Sequence, residues 1–169
     1  EAVDSHPLTP RVLAGEQGQG PAIVLDREAL RTMGLLPPVE EERRLASQYR
    51  KIKRPLIANA VGRGVERLPN GCLIMLASAM SGEGKTFTAL NLALSIATER
   101  DFSVLLVDAD VAHQQLSRIF NLEGELGLLD VLRDPHLDVE SLIRQPDVPT
   151  LTFLPAGKSS ADATELLAS

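Results

Sequence analysis

Three observations predict a three-layer α/β fold, a parallel sheet flanked by helices. First, a short apolar run, Leu73 to Ala77, has the length and composition of a buried strand and leads through a loop of small residues into a helical pattern starting near Lys85. Second, Val104 to Val107 is continuously apolar, as suits a parallel strand covered on both faces. Strand, helix and strand within about 35 residues make a βαβ unit with a right-handed crossover. Third, Leu151 to Leu154 reads as another strand, followed by the loop Pro155-Ala156-Gly157-Lys158 at the end where open α/β sheets bind ligands.

The remaining elements follow in order. Residues 1–22 hold Pro7, Pro10, Gly15, Gly18, Gly20 and Pro21 with little periodicity and read as a flexible or extended arm. Residues 23–71 read as a helical segment that packs on the core, and residues 72–169 as a nucleotide-binding domain incomplete at its C-terminus. Ile23 to Leu25 is a short extended piece. Asp26 is placed to cap a helix running through Met33, with Gly34 as its stop. A longer helix runs from Glu40 to about Arg54. Leu45, Tyr49, Ile52 and Leu56 share one face, acids stand at its start, and Arg50, Lys51, Lys53 and Arg54 stand at its end. That basic cluster fits either an acidic partner or a solvated helix face. Pro55 ends or kinks the helix, and a second helical piece runs from Leu56 to Val61 before the Pro69-Asn70-Gly71 turn. The helix after Lys85 is apolar on nearly all sides and therefore buried. Short helices are expected around Leu116–Phe120, Gly127–Leu132 and Val139–Arg144, with another beginning near Asp162.

Composition narrows the function. The chain has 169 residues, 44% of them hydrophobic, which is enough for one domain with a core. A net charge of -6 argues against a nucleic-acid partner held mainly by electrostatics. No apolar run approaches the roughly 18 residues of a spanning helix, so no direct membrane span is expected. The single cysteine, Cys72, excludes an internal disulfide and reads as a small buried residue at a strand start. His6, His113 and His136 lack metal-ligand spacing and read as surface or core residues. The absence of a signal peptide fits the cytoplasm. The chain begins at Glu1 and stops at Ser169 inside a helical pattern, as a piece of a longer protein would.

The loop Ala79-x-x-x-x-Gly84-Lys85-Thr86 fits the phosphate-binding consensus, with Ala79 in place of the first glycine. Gly82 and Gly84 let the backbone curl its N–H groups around phosphate oxygens. Lys85 brings a cation to the β/γ-phosphates, the Thr86 hydroxyl can ligate Mg²⁺, and the following helix points its N-terminus at the same anion. Ser81, Gly82, Glu83, Gly84, Lys85, Thr86 and Phe87 are the candidate contacts to ATP or ADP. Past the second strand, Asp108 and Asp110 share the sheet edge with this loop. Either carboxylate can bind the metal directly, act through water, or orient a nucleophile, so the two are candidate metal and catalytic residues alongside Lys85. Asp110 also fits a helix cap. Lys158 reads as a solvated lysine.

Ser81-Gly82-Glu83-Gly84-Lys85-Thr86, followed by Val104 to Asp110, resembles the Walker A and Walker A′ motifs of bacterial tyrosine kinases, which are P-loop enzymes of MinD/ParA-like fold. Leu25–Pro38, Tyr49–Ala60, Gly127–Leu132, Leu154–Gly157 and Ala163–Ser169 resemble the branch associated with exosortase-type exopolysaccharide loci. The resemblance implies a cytoplasmic tyrosine autokinase held near the inner membrane by a chain-length-determinant-type activator, often as a ring-shaped homo-oligomer. It gives Lys85 the β/γ-phosphates, Thr86 the Mg²⁺, and Asp108 and Asp110 the metal and tyrosine activation. A Walker B aspartate and a tyrosine cluster are expected beyond Ser169. Tyr49 is read as core instead of substrate. The chain departs from the family at five positions. Ser81 replaces a proline, and His113 and Gln114 stand where an arginine and a proline are common. Ser47, Arg50 and Lys53 stand where Glu, Arg and Arg form the oligomerisation motif, and lysine does not replace the bidentate arginine. A partitioning ATPase of the MinD/ParA type is the rival reading. Met80 occupies the position of that group's signature lysine. A regulatory nucleotide-binding module without turnover is a further alternative.

Overall fold

The computed structural model describes residues 23–160 and 163–168. The expected arm over residues 1–22 and the expected helix start near Asp162 lie outside them. The first helix, α1 (Arg27–Thr32), begins as the sequence requires: the Asp26 carboxylate accepts the N–H groups of Glu28 and Ala29 at 3.1 and 2.9 Å. Gly34, at φ 72°, closes its end in a conformation that glycine adopts without strain.

Helix α2 (Glu42–Val61), preceded by a 3₁₀ turn at Val39–Glu41, is one continuous element with Pro55 inside it, not two helices parted by the proline. Packing on both sides of Pro55 accounts for this. Leu45 and Tyr49 before it, and Leu56 and Ile57 after it, meet Leu92 and Ile96 of α3 (Lys85–Ala97) in one cluster. Burial worth about 1.5–3 kcal/mol per large apolar side chain offsets one missing backbone bond. The buried face also differs from the expected stripe. Ile52 is exposed, and Lys53 lies inside with only 4% of its surface accessible. The Lys53 ammonium donates to the Ser95 carbonyl and, at 3.0 Å, to Thr98 Oγ1, and it pairs with Glu99 at 2.8 Å. A cation thus sits on the C-terminal carbonyls of α3, where the helix dipole favours it.

The sheet has two parallel strands, β1 (Val104–Val107) and β2 (Leu151–Leu154), in register from Val104 opposite Leu151 to Val107 opposite Leu154. Three short helices carry the chain from β1 to β2: α4 (Gln115–Ile119), α5 (Leu128–Arg133) and α6 (Val139–Leu142). A last helix, α7 (Ala163–Ala168), packs near α5 through Ala163 and Leu129. The main core joins Leu90 and Ala93 of α3, Leu106 of β1, and Leu151 and Phe153 of β2 to Leu116 and Phe120, with Ile23, Leu25 and Leu30 closing it. Phe120 meets Phe153 edge to face, 4.6 Å between ring centres. Ile23 bridges to Pro146, so the expected short extended piece is present.

Four expectations are corrected. Leu73 to Ala77 forms no strand: among the described residues the sheet contains only β1 and β2, and Leu73 and Met75 are 79% and 85% exposed. A strand is made by its ladder, and apolar character alone supplies no partner. The βαβ unit expected across the phosphate loop is therefore not formed among the described residues, and the parallel crossover runs from β1 to β2 instead. Cys72, at the start of that run, is exposed for the same reason. Likewise the second face of β1 is only partly covered, since Leu105 is 45% exposed while Val107 is half-buried.

The Lys53 clasp has a pH signature. The hydrogen bond and charge of Lys53 hold the Glu99 carboxyl below its ordinary value of 4.5. A depressed carboxylate contributes stability above its unfolded value and loses it as pH falls through the folded one. Lys53→Met keeps the packed stem and removes the charge-assisted bonds, so an unfolding free energy lower by about 1–2 kcal/mol at neutral pH is expected. Thermal unfolding followed from pH 7 to 3 should show a shallower loss of stability for the variant than for the parent.

Candidate functional site

The phosphate loop lies between the irregular segment ending at Ser78 and the first turn of α3. Gly82 and Gly84 take φ of 86° and 87°, and a Cβ added at either would meet no atom within 4 Å. Glycine is needed there for backbone conformation, since residues with a side chain avoid that region. The loop's own side chains occupy its polar groups. One oxygen of Glu83 accepts the N–H groups of Ala79 and Met80 at 3.0 and 3.1 Å. The Thr86 hydroxyl donates to Gln115 Oε1 at 2.7 Å. Ser81 is exposed and Phe87 half-buried, its carbonyl accepting from the Asn91 amide.

The C-terminal end of β1 brings both acids to this loop. Lys85 Nζ donates to Asp110 Oδ2 at 2.6 Å, while Asp110 Oδ1 faces the backbone N–H and Nδ1 of His113 at 3.3 and 3.1 Å. Partial burial pushes the Asp110 carboxyl up, but the bonds from Lys85 and His113 outweigh it and hold the group below the ordinary carboxylate value. Asp108 is placed differently. It is 2% exposed, and its oxygens accept the N–H of Asp110 at 3.2 Å and the N–H and hydroxyl of Ser117, each at 2.8 Å.

The loop after β2 is fixed against the same end of the sheet. Leu128 and Leu129 donate their N–H groups to the carbonyls of Pro155 and Ala156. The Gln114 amide donates to the Gly157 carbonyl, and Lys158 N–H donates to Asp130. A Cβ on Gly127 would lie 2.1 Å from the Pro155 carbonyl oxygen, so only glycine permits that approach. The Lys158 side chain is exposed, in keeping with a solvated lysine.

Lys85 and Asp110 are therefore paired, Thr86 is bonded to Gln115 of α4, and Asp108 is buried behind Asp110, whose N–H it accepts. Sequence reasoning passed over three participants. His113 stands three residues from Asp110, a spacing that signals contact only once the turn between them is known. Gln115 and Ser117 are joined to the site across 29 and 9 residues. Tyr49 is buried, as expected of a core residue. Among the described residues no group of three or more His, Cys, Asp or Glu side chains is gathered to hold a metal ion.

The sequence pattern of the CobQ/CobB/MinD/ParA nucleotide-binding domain matches residues 74–165, more than half of the chain. The chain belongs to the CobQ/CobB/MinD/ParA nucleotide-binding family. Within that family it is similar to tyrosine-protein kinases, the group its motifs resemble. It is 37% identical over 97 residues to Ptk of Acinetobacter johnsonii, a match covering 57% of this chain and 13% of that protein. It is 34% identical over 95 residues to CpsD of Streptococcus agalactiae, covering 56% and 41%. It is 32% identical over 124 residues to YwqD of Bacillus subtilis, covering 73% and 49%. The kinase domain of VpsO shares the fold at a TM-score of 0.55 and 25% identity, over 78% of this chain and 62% of that one. The chain thus spans less than half the length of these curated relatives.

Nucleotide binding in this family member should depend on the Lys85 charge. Lys85→Ala should weaken ADP binding by about 10–100-fold in a calorimetric or fluorescence titration, the equivalent of one charge-assisted hydrogen bond.

Proposed function

We propose that the protein to which this chain belongs is an ATP-dependent protein tyrosine kinase acting in exopolysaccharide biosynthesis or export. The observation that carries the reading is the convergence of Lys85 on Asp110 at the C-terminal end of β1. A phosphate-binding lysine there shares its position with an acid held in the charged form. Met80, at the place of the partitioning ATPases' signature lysine, favours the kinase over that rival. The relatives named as tyrosine-protein kinases, CpsD among them, support the same choice.

In this reading the tyrosine hydroxyl oxygen attacks the γ-phosphorus. The bond from that phosphorus to the β–γ bridging oxygen breaks, ADP leaves, and the phenolic proton passes to a carboxylate of the acidic pair. Lys85 holds the β/γ-phosphates. The residues fit Mg²⁺: Thr86 and Asp110 offer one hydroxyl and one carboxylate, and an ion of this kind takes much of its shell from phosphate and water, so the lack of a three-acid cluster among the described residues is no obstacle. When bound, the ion would neutralise charge on the transferring phosphoryl group.

The activator we propose is a membrane protein of the chain-length-determinant type, which would keep the kinase at the inner face of the membrane. Among the described residues no helix is long and apolar enough to cross a membrane. Assembly of a ring through Ser47, Arg50 and Lys53 is not part of the proposal, because Lys53 is spent inside its own chain.

Incubating the full-length protein with γ-labelled ATP and Mg²⁺ should place label on tyrosine, and Lys85→Met should abolish it. Absence of phosphotyrosine in the parent, or its persistence in the variant, would sink the kinase reading.

A further inference from the structure

The two acids of the Asp108-Ala109-Asp110 turn are not equivalent. A carboxylate has about four lone-pair directions. At Asp108 three of them are taken by protein donors, and the side chain is sealed from solvent. Asp110 also meets three protein groups, Lys85 and the N–H and ring of His113, but its side chain is 21% exposed and its partners Lys85 and His113 reach solvent. One residue stands behind this division. Ser117, in the first turn of α4, is 1% exposed. Its hydroxyl donates to Asp108 Oδ2 at 2.8 Å and accepts the N–H of Ala156, beyond the end of β2, at 2.9 Å.

The direction of the hydroxyl proton is determined by chemistry. The Ala156 N–H can only donate, so the single Ser117 proton is left for Asp108. Ser117 therefore spans the ends of both strands, fixing the Asp108 carboxylate on one side and the loop Pro155–Lys158 on the other. Asp108 in turn accepts the Asp110 N–H and thereby sets the turn from which Asp110 reaches Lys85.

We propose that Ser117 is a positioning residue of the nucleotide site, acting through Asp108 to aim Asp110, and that Asp108 supports the metal-binding carboxylate without itself meeting the ion. This deepens the kinase reading and rests on it for the reaction served. Residues that orient a metal-ligating group from behind commonly influence metal affinity or activity by 10–100-fold.

The test uses the full-length protein and two readouts. The first is the affinity for a fluorescent ADP analogue, titrated with and without Mg²⁺. The second is kcat and KM for ATP in tyrosine phosphorylation. Ser117→Ala should raise the Mg²⁺ concentration needed for half of the affinity gain by about tenfold. Affinity without Mg²⁺ should stay at the parent value, and kcat should fall with little change in KM. Ser117→Thr, which keeps the hydroxyl, should recover the Mg²⁺ dependence. Ser117→Cys, near in volume but a weak donor, should fall between and serves as the test variant if Ser117→Ala does not fold. A Mg²⁺ dependence unchanged in the folded variant, whatever its melting temperature, would overturn the proposal and leave Ser117 a packing residue. A parent protein without phosphotyrosine would defeat the kinase reading alone, because the ADP titration still decides the role of Ser117.

Discussion

A buried carboxylate must be satisfied or it destabilises whatever surrounds it, and the Asp108 carboxylate is the point on which this structure turns. An unpaired charge in that position would cost several kcal/mol. Among the described residues no cation lies within ion-pair distance of Asp108. Its carboxylate is met by three neutral donors from two residues, the backbone of Asp110 and both the backbone and hydroxyl of Ser117, with Ala156 bound to that hydroxyl in turn. Those bonds require α4 to start beside the end of β1 and require β2 to end at the same level. The register of the two strands, Val107 opposite Leu154, delivers that alignment. Sheet geometry and site geometry are thus one constraint seen from two sides.

The second constraint is the seat of α3. Phosphate-loop residues are only as well placed as the helix that carries them, and α3 is held along its length by apolar contacts and at its C-terminus by Lys53. An ammonium is costly to bury, yet here it meets a carbonyl, a hydroxyl and a half-exposed carboxylate, which together use its three donors. The same lysine is therefore withdrawn from the surface. A basic cluster that reads as one patch in the sequence is divided into a structural cation and three exposed ones, Arg50, Lys51 and Arg54. The division bears on assembly, since a residue that clasps its own helix is not free to clasp a neighbour.

What was legible in the sequence was local. Asp26 announces α1 because a cap bonds groups two and three residues away, and the Val104–Val107 and Leu151–Leu154 runs announce their strands by composition. Lys85 and Asp110 could be singled out because the chemistry expected of a phosphate site restricts residue type at fixed spacing, and the structure pairs them. What failed was non-local. Leu73–Ala77 has a strand's composition, but pairing is decided by a neighbour that the run does not contain. Ile52 and Lys53 exchange places because the helix continues through Pro55: contacts at positions 45, 49, 53, 56 and 57 define one face, and a helix broken at the proline would not align them. Ser117 gave no signal, being a lone serine whose partners lie 9 and 39 residues away.

The contacts within the phosphate loop bear on how such a site binds at all. Glu83 holds two loop N–H groups, Asp110 holds Lys85, and Gln115 holds the Thr86 hydroxyl. Each of these is a group that phosphate or its counter-ion would engage, so nucleotide binding here is an exchange of partners, not a gain of new ones. The exchange is favourable in part because a triphosphate supplies several strong acceptors on one rigidly linked group, whereas Glu83, Asp110 and Gln115 come from three separate positions on the chain. The two carboxylates released in that exchange are left beside a polyanion, which by itself would repel them. In the proposed reading, a divalent cation held by Asp110 and Thr86 would remove the conflict by neutralising charge there. Exchange of the Lys85–Asp110 pair for lysine–phosphate and acid–cation contacts would then make nucleotide and metal binding mutually dependent, and a fixed position for Asp110 would strengthen that dependence.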